Sequence, residues 1–175
     1  VFADKALQKK AERVRKTFAA FESSFAGWTR DLSDVIIRTS GNGDSGTYFA
    51  VDLETSRANA IAYERVAIGP QQVGQISTFE YTASDGMEMD GILTLPPGKE
   101  AKNLPIVMLP HGGPGGADTP EFDWWAQAFA SRGYAVFQPN FRGSTNRTVS
   151  FQRAGYGEWG GKMQSDKSDG LAALA

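Results

Sequence analysis

The sequence predicts an α/β protein, with a parallel sheet built on a βαβ unit in its second half and short antiparallel strands before it. The first observation is an apolar run at 104–109, a helical pattern at 120–133 and a second apolar run at 134–140. Strand, helix and strand in this order form a right-handed crossover in a parallel sheet. Both runs lack polar alternation, so each predicted strand is buried on both faces. The second observation is that short runs rich in β-branched and aromatic residues alternate with turn residues from Asp34 onward.

Composition and charge exclude several classes of site and partner. The chain has 175 residues and a formal net charge of -2, which gives no electrostatic reason to expect nucleic acid or an anionic membrane as partner. It has no cysteine and one histidine, so we expect no disulfide, no metal site and no cofactor. No apolar run approaches the length of a membrane span. The chain begins at Val1 and ends within a helical pattern, so we expect a piece of a longer protein. The sequence does not assign its compartment, cytoplasmic or periplasmic.

The first 72 residues are predicted to form one structural region. Apolar residues recur at helical spacing through residues 2–25, which predicts an N-terminal helix. The runs at 34–40, 47–53 and 59–66 are strand-like, and the glycine-rich cluster 41–46 is a turn. Short strands with tight turns favour a meander, as in one blade of a β-propeller. The segment "IGPQQVGQ" lacks periodicity and marks the boundary, with domains at 1–72 and 73–175.

The second region begins with a predicted hairpin at Asp85-Gly86, which separates strand-like runs at 77–84 and 87–96. The predicted helix that follows the first apolar run ends at Gly133. Its apolar side is predicted to consist of Phe122, Trp125, Ala126 and Phe129.

The segments that follow the two predicted parallel strands are candidates for function, because ligands bind beyond the carboxyl ends of such strands. His111-Gly112-Gly113 follows the first strand and Asn140 to Gly143 follows the second. A glycine-rich turn there lets a substrate approach backbone N–H groups, which can stabilise an oxyanion. In α/β-hydrolases one oxyanion donor comes from an HGGG-type loop after the third strand, and the other follows the serine of G-x-S-x-G. That serine pattern is absent, so the chain carries half of an oxyanion hole and no nucleophile.

Two interpretations of His111 stay open. As a general base it needs a serine and an orienting carboxylate, and nothing in the sequence assigns either. As a loop residue it hydrogen-bonds to backbone and holds the adjacent glycines in place, which we favour.

Three further patterns favour structural roles. Gly43 to Gly46 matches the serine signature of chymotrypsin-type proteases, but no histidine base lies in the same region, so a turn explains it. Gly155 to Gly160 matches G-x-G-x-x-G without a preceding strand, so a packed glycine–tryptophan loop is the better account. The acidic residues Asp118, Glu121 and Asp123 favour a helix N-terminus.

Together, three segments resemble the catalytic domain of the prolyl oligopeptidase family, especially its acylaminoacyl-peptidase-like branch: "HGGPGG", "WWAQAFASRGYAVFQPNFRGSTN" and "FQRAGYGEWGGKMQSDKSDG". The resemblance is strong over residues 76–175 and weaker before them, where "YFAVDLETSRANAIAY" is similar to a late propeller blade. It implies the first half of an α/β-hydrolase domain, cut before the nucleophile elbow and preceded by the end of a β-propeller.

The resemblance also implies an activity and site residues. It implies a serine peptidase that cleaves short peptides through an acyl-enzyme, with the N–H of Gly113 as oxyanion donor. His111, Gly112 and Arg142 would support the loop, and the triad would lie after Ala175. The chain alone is therefore expected to be inactive, with the C-terminal part of the same protein as partner. A homo-oligomer, a non-peptidase esterase of the same fold, and a binding protein that has lost the triad stay open.

Overall fold

The computed structural model describes residues 3–113 and 115–175 and divides the chain into two compact units. The first ends at Val73 and the second spans Gly74–Ala175. The predicted boundary between residues 72 and 73 lies one residue from this division. No helix among the described residues is long and apolar enough to cross a membrane.

The first unit is one helix and a four-stranded antiparallel sheet. Its elements are α1 (Lys5–Thr17), β1 (Glu22–Trp28), β2 (Asp34–Gly41), β3 (Asp44–Asp52) and β4 (Arg57–Tyr63), and the strand order is β1-β2-β3-β4. Asp4 caps α1 by accepting hydrogen bonds from the N–H groups of Ala6 and Leu7. Ala11 and Val14 on α1 join Val35 and Ile37 of β2 in the core. The predicted meander is confirmed as an antiparallel sheet, and its interpretation as a propeller blade stays a prediction, because the described residues contain no closed propeller.

The N-terminal helix is shorter than predicted. Its first predicted residue, Phe2, lies outside the described residues, and the helix ends at Thr17 rather than at residue 25. Residues 22–28 instead form β1, which pairs with β2. Serine and glycine are weak helix formers, so the ladder of hydrogen bonds to β2 outweighs the helical spacing of the phenylalanines.

The second unit is a four-stranded mixed sheet with helices. Its strands are β5 (Ile76–Thr82), β6 (Glu88–Thr94), β7 (Ile106–Met108) and β8 (Ala135–Asn140), in the order β5-β6-β8-β7. Its helices are α2 (Trp124–Ala130), α3 (Val149–Arg153) and α4 (Lys162–Ala173). The hairpin at Asp85-Gly86 and the βαβ unit β7–α2–β8 are confirmed. The predicted parallel sheet is in fact mixed. β7 and β8 are parallel, but the hairpin makes β5 and β6 antiparallel, and β6 also pairs antiparallel with β8.

Two burial predictions in this unit are wrong in part. β7 is not buried on both faces: Ile106 is 36% exposed, because β7 has a neighbour on one side only. Of the residues predicted to form the apolar side of the helix, Phe122 and Ala126 are buried, but Trp125 and Phe129 are exposed. On α2, Gln127 and Ala130 face inward with Ala126. The amide of Gln127 explains this orientation, since its Oε1 accepts from the N–H of Gly74 at 2.7 Å and its Nε2 donates to the Gly74 carbonyl at 3.3 Å.

Candidate active site

The glycyl turn, defined here as residues 111–116, follows β7 at the carboxyl ends of the parallel pair. Leu109 continues the pairing beyond β7 by donating its N–H to the Phe137 carbonyl of β8 at 2.8 Å. Phe141 to Ser144, called here the β8 segment, come directly after β8. The two segments therefore meet at one edge of the sheet. Pro114, part of the predicted motif, lies outside the described residues.

His111 contacts the segment that follows β8. Its Nε2 lies 2.8 Å from the Ser144 hydroxyl, which is fully buried and donates to the Phe141 carbonyl at 2.6 Å. Its ring stacks on the Phe141 ring with centroids 4.6 Å apart and planes 12° apart. Its Nδ1 lies 3.0 Å from the Gly112 carbonyl. No carboxylate hydrogen-bonds to the ring in the described part of the chain. These contacts suit a residue that supports the turn, and they lack the carboxylate that would orient a general base.

The backbone of Gly113 is exposed and takes a conformation that favours glycine. Its φ is +131°, and a Cβ there would come within 2.7 Å of the Gly115 nitrogen. Across residues 3–113 and 115–175, the N–H groups of Gly112 and Gly113 donate to no protein acceptor. Both N–H groups are therefore available to a ligand.

Three hydrogen bonds add to the His111 anchor, at the far end of the turn and just beyond it. Thr145 donates its N–H to the Gly116 carbonyl at 3.0 Å. The side-chain amide of Asn140, at the end of β8, accepts from the N–H of Asp118 through Oδ1 at 2.8 Å and donates from Nδ2 to the Asp118 carbonyl at 3.1 Å. The position of the turn thus depends on the position of the β8 segment.

Arg142 fixes the β8 segment through a buried ion-pair network. Its side chain is 4% exposed and pairs with Asp166 of α4, which is fully buried, with Nη2 to Oδ1 at 2.7 Å. The other end of the guanidinium pairs with Asp85 of the β5–β6 hairpin at 2.9 Å, and Lys162 also reaches that carboxylate. Hydrogen bonds from Arg142, and then from Lys162, lower the pKa of Asp85 below its usual value. Arg142 points into the protein, so its contribution to the site is through the loop that it holds.

The predicted acidic cluster separates into different environments. Asp123 caps α2 by accepting from the N–H of Ala126 at 2.8 Å, as predicted. Asp118 lies at no helix end, and its Oδ2 is buried without a hydrogen-bond partner in the described residues. Burial raises the pKa of Asp118, and the nearby charge of Asp123 adds to this while His111 opposes it.

Replacing Asp118 with asparagine is expected to stabilise the second unit by about 1 kcal/mol near neutral pH, a modest value because the side chain is partly solvated. Because its pKa is raised in the folded state, the Asp118 carboxyl favours folding at pH values below the ordinary pKa of aspartate. This contribution to the free energy of unfolding is lost as pH rises through the pKa of the folded state. The gain should therefore grow as pH rises from about 4 through the raised pKa of Asp118 in the folded state. Urea unfolding at several pH values measures it, with the exposed Glu80→Gln as control. A gain that is independent of pH would contradict this account.

A cleft of about 250 Å³ opens beside the glycyl turn. It is lined by residues of the turn, of the β8 segment and of the α4 region: His111, Gly113, Phe141, Trp159, Gly160, Met163, Gln164 and Lys167. Sequence reasoning did not assign Ser144, Trp159 or Lys167 to this site. The glycine–tryptophan loop is not packed as predicted, since Trp159 is 74% exposed and stands at the cleft. Only its first glycine is close-packed, because a Cβ on Gly155 would come within 2.7 Å of the Gly143 Cα.

The two misleading motifs have structural explanations. Asp44, the first residue of β3, is buried and accepts hydrogen bonds from the Thr39 hydroxyl, the Gly46 N–H and the Thr47 hydroxyl. Because Gly41 of β2 pairs with Asp44 of β3, only Asn42 and Gly43 lie between the two strands. The glycines from Gly155 to Gly160 follow α3 rather than a strand. The described residues contain no group of three or more acidic, histidine or cysteine side chains that could hold a metal ion.

Comparisons with known proteins give a consistent result. Residues 120–175 match the model of the prolyl oligopeptidase family. The chain is 40% identical over 99 residues to dipeptidyl aminopeptidase BIII of Pseudoxanthomonas mexicana, which covers 53% of this chain and 14% of that protein. It is 30% identical over 136 residues to the probable dipeptidyl-peptidase 5 of Aspergillus niger, covering 74% and 19%. The chain thus spans less than a fifth of the length of these relatives.

Solved structures share the fold. A crystal structure of puromycin hydrolase superposes with a TM-score of 0.67 at 25% identity, covering 82% of this chain and 22% of that one. A puromycin-hydrolyzing peptidase of Mycobacterium tuberculosis gives 0.70 at 22% identity, covering 81% and 23%. Acylaminoacyl peptidase of Pyrococcus horikoshii gives 0.67 at 22% identity, covering 86% and 24%.

Proposed function

We propose that the chain, in which residues 120–175 match the prolyl oligopeptidase family, is part of a longer serine peptidase of that family that hydrolyses short peptides through an acyl-enzyme. The names of its relatives, dipeptidyl peptidases and acylaminoacyl peptidases, support peptides as the substrate class. The second unit is the first half of an α/β-hydrolase domain, and the antiparallel sheet of the first unit is a blade of a β-propeller.

The observation that carries the proposal is the available N–H of Gly113 beside the carboxyl ends of β7 and β8. β7 is the third strand of the second unit and α2 is the next helix, which is where α/β-hydrolases place the loop that supplies one oxyanion donor. When a nucleophile attacks a peptide carbonyl, negative charge develops on the oxygen. A backbone N–H held in advance at that point stabilises the charge at no cost of reorganisation during the reaction.

The remaining catalytic groups lie outside this chain. A covalent route needs a nucleophile and a base, and the sequence contains no G-x-S-x-G. The serine, its base and the second oxyanion donor therefore come from the rest of the longer protein. The chain by itself binds the carbonyl oxygen and cannot form the acyl-enzyme.

The decisive experiment changes one atom of Gly113. In the longer protein, replacing Gly113 with glycolic acid exchanges the N–H for an ester oxygen and keeps the backbone free to take φ of +131°. Loss of one oxyanion donor is expected to lower kcat by about 10²–10³-fold with little change in KM. The same replacement at Gly98, an exposed turn glycine with φ of +68°, is the control and should leave kcat unchanged. An unchanged kcat in the Gly113 variant would refute the assignment.

A second measurement addresses the chain alone. No release of p-nitroaniline is expected from either dipeptidyl or N-acylaminoacyl p-nitroanilides, because the nucleophile is missing. Turnover by the isolated chain that disappears in the Gly113 variant would overturn the proposal. In the longer protein, the ratio of rates on the two substrates separates a dipeptidyl peptidase from an acylaminoacyl peptidase. A preference for simple esters over both peptides would favour the esterase alternative.

A further inference from the structure

Lys167 places a positive charge in the cleft beside the glycyl turn. It lies on α4, and its Nζ is 4.7 Å from the centroid of the Phe141 ring. The same cleft is lined by Gly113, so a group held at Lys167 lies in the same cavity as the candidate oxyanion donor. An ammonium over an aromatic face is held by the ring quadrupole, which restricts where the charge can sit.

Lys167 has no acidic partner in the part of the chain that the structure describes. The adjacent carboxylate, Asp166, is fully buried and committed to Arg142. One turn away on the helix, Met163, Gln164, Gly170 and Leu171 carry no charge. The charge of Lys167 is therefore uncompensated.

The cleft as a whole has the character of a site for an anionic group. None of its lining residues is a carboxylate, and Lys167 and His111 are its ionisable members. Trp159 is exposed at its edge and offers an apolar surface to the aliphatic part of a ligand. The overall charge of -2 means that this attraction is local and does not come from the whole protein.

We propose that Lys167 is a specificity-determining residue that binds a carboxylate of the peptide substrate in the cleft beside Gly113. The inference rests on the proposed function for its substrate class. The carboxylate has two sources, the side chain of an aspartate or glutamate and the free α-carboxylate of a short peptide. An ion pair at a partly exposed site should favour the acidic ligand by about three- to tenfold.

The single histidine of the chain provides a direct test. Because His111 lines the cleft, its imidazole resonances report peptide binding in an NMR titration. Acetyl-Ala-Glu-Ala-amide is compared with acetyl-Ala-Gln-Ala-amide for the side-chain source. Acetyl-Ala-Ala with a free C-terminus is compared with its amide for the α-carboxylate source. We expect the acidic member of at least one pair to bind about three- to tenfold more tightly.

Variants separate Lys167 from other causes. Lys167→Gln should abolish the preference and Lys167→Arg should retain it, while Lys102→Gln, an exposed lysine away from the cleft, should change nothing. Raising ionic strength from about 0.1 M to about 1 M should also reduce the preference, since the Debye length falls from about 10 Å to about 3 Å.

Three outcomes would overturn the inference: no binding of any peptide, equal binding within both pairs, or a preference that survives in Lys167→Gln. Failure of the proposed function is distinguishable, because it appears as an unchanged kcat in the Gly113 ester variant while the carboxylate preference persists in this binding assay.

Discussion

Replacing Arg142 with methionine is expected to lower the free energy of unfolding of the second unit by about 3–5 kcal/mol. Methionine fills much of the same volume but removes the partner of Asp166, which is fully buried and accepts from both the side chain and the backbone N–H of Arg142. An isolated charge in that position has neither water nor a cation to stabilise it. The loss should also free the segment that holds His111 and the glycyl turn.

The measurement is urea unfolding followed by tryptophan fluorescence in a Trp28→Phe background, so that the other three tryptophans all report on the second unit. The exposed Arg132→Met is the control and should change stability by less than about 0.5 kcal/mol.

The lowered pKa of Asp85 also predicts a pH dependence. The ionised Asp85 carboxylate stabilises the folded state at pH values above the ordinary pKa of aspartate, and this stabilisation is lost as pH falls through the lowered pKa of the folded state. The difference in free energy of unfolding between the parent and the Arg142 variant should therefore become smaller in acid. A gap below about 1 kcal/mol at neutral pH would contradict the role assigned to the network.

Replacing Phe137 with alanine is expected to cost the second unit about 3–5 kcal/mol, because it leaves a cavity at the centre of the sheet. Phe137 of β8 is fully buried and packs edge-on against Phe79 and Tyr81 of β5. Gly91 and Gly170 bring backbone against its ring: a Cβ at these positions would lie 2.5 Å and 2.7 Å from its atoms. Rigid backbone on both sides cannot collapse into the space, so little of the lost packing is recovered.

The same fluorescence assay measures this loss. Phe137→Leu should cost less than the alanine variant, since it removes less volume. Trp124→Ala removes a larger aromatic side chain that is 61% exposed, and is expected to be near neutral. Equal losses for Phe137→Ala and Trp124→Ala would show that burial at this position does not control stability.

Prediction from sequence succeeded where the signal lies in neighbouring residues. Asp85-Gly86 between two alternating runs predicts a hairpin because few dipeptides adopt such a turn, and the structure forms it. The apolar run at 104–109 followed by a helical pattern and a second run predicts the parallel pair β7 and β8. Because these two strands are parallel neighbours, the glycyl turn and residues Asn140 to Gly143 are expected to meet at one edge of the sheet, which is the basis of the candidate site.

Prediction failed where a contact between distant residues decides the outcome. The phenylalanines up to Phe25 have helical spacing, but pairing with β2 converts residues 22–28 into a strand. The aromatic side of α2 has the pattern of a buried face, yet the hydrogen bonds between Gln127 and Gly74, 53 residues apart, turn its small residues inward. Local hydrophobicity carries no information about either partner.

By itself the sequence determined most of the order of strands and helices, the resemblance to the prolyl oligopeptidase family and the position of a glycine-rich turn after a strand, because backbone preference and hydrophobic period act over a few residues. Only the tertiary structure decided what Arg142 pairs with, since Asp85 and Asp166 lie 57 and 24 residues away. It also decided that His111 rests on Phe141 and Ser144, and that Lys167 faces a cleft without a carboxylate. Such contacts depend on where distant segments meet in the folded chain, and electrostatic and packing energies act over those distances in space rather than along the sequence.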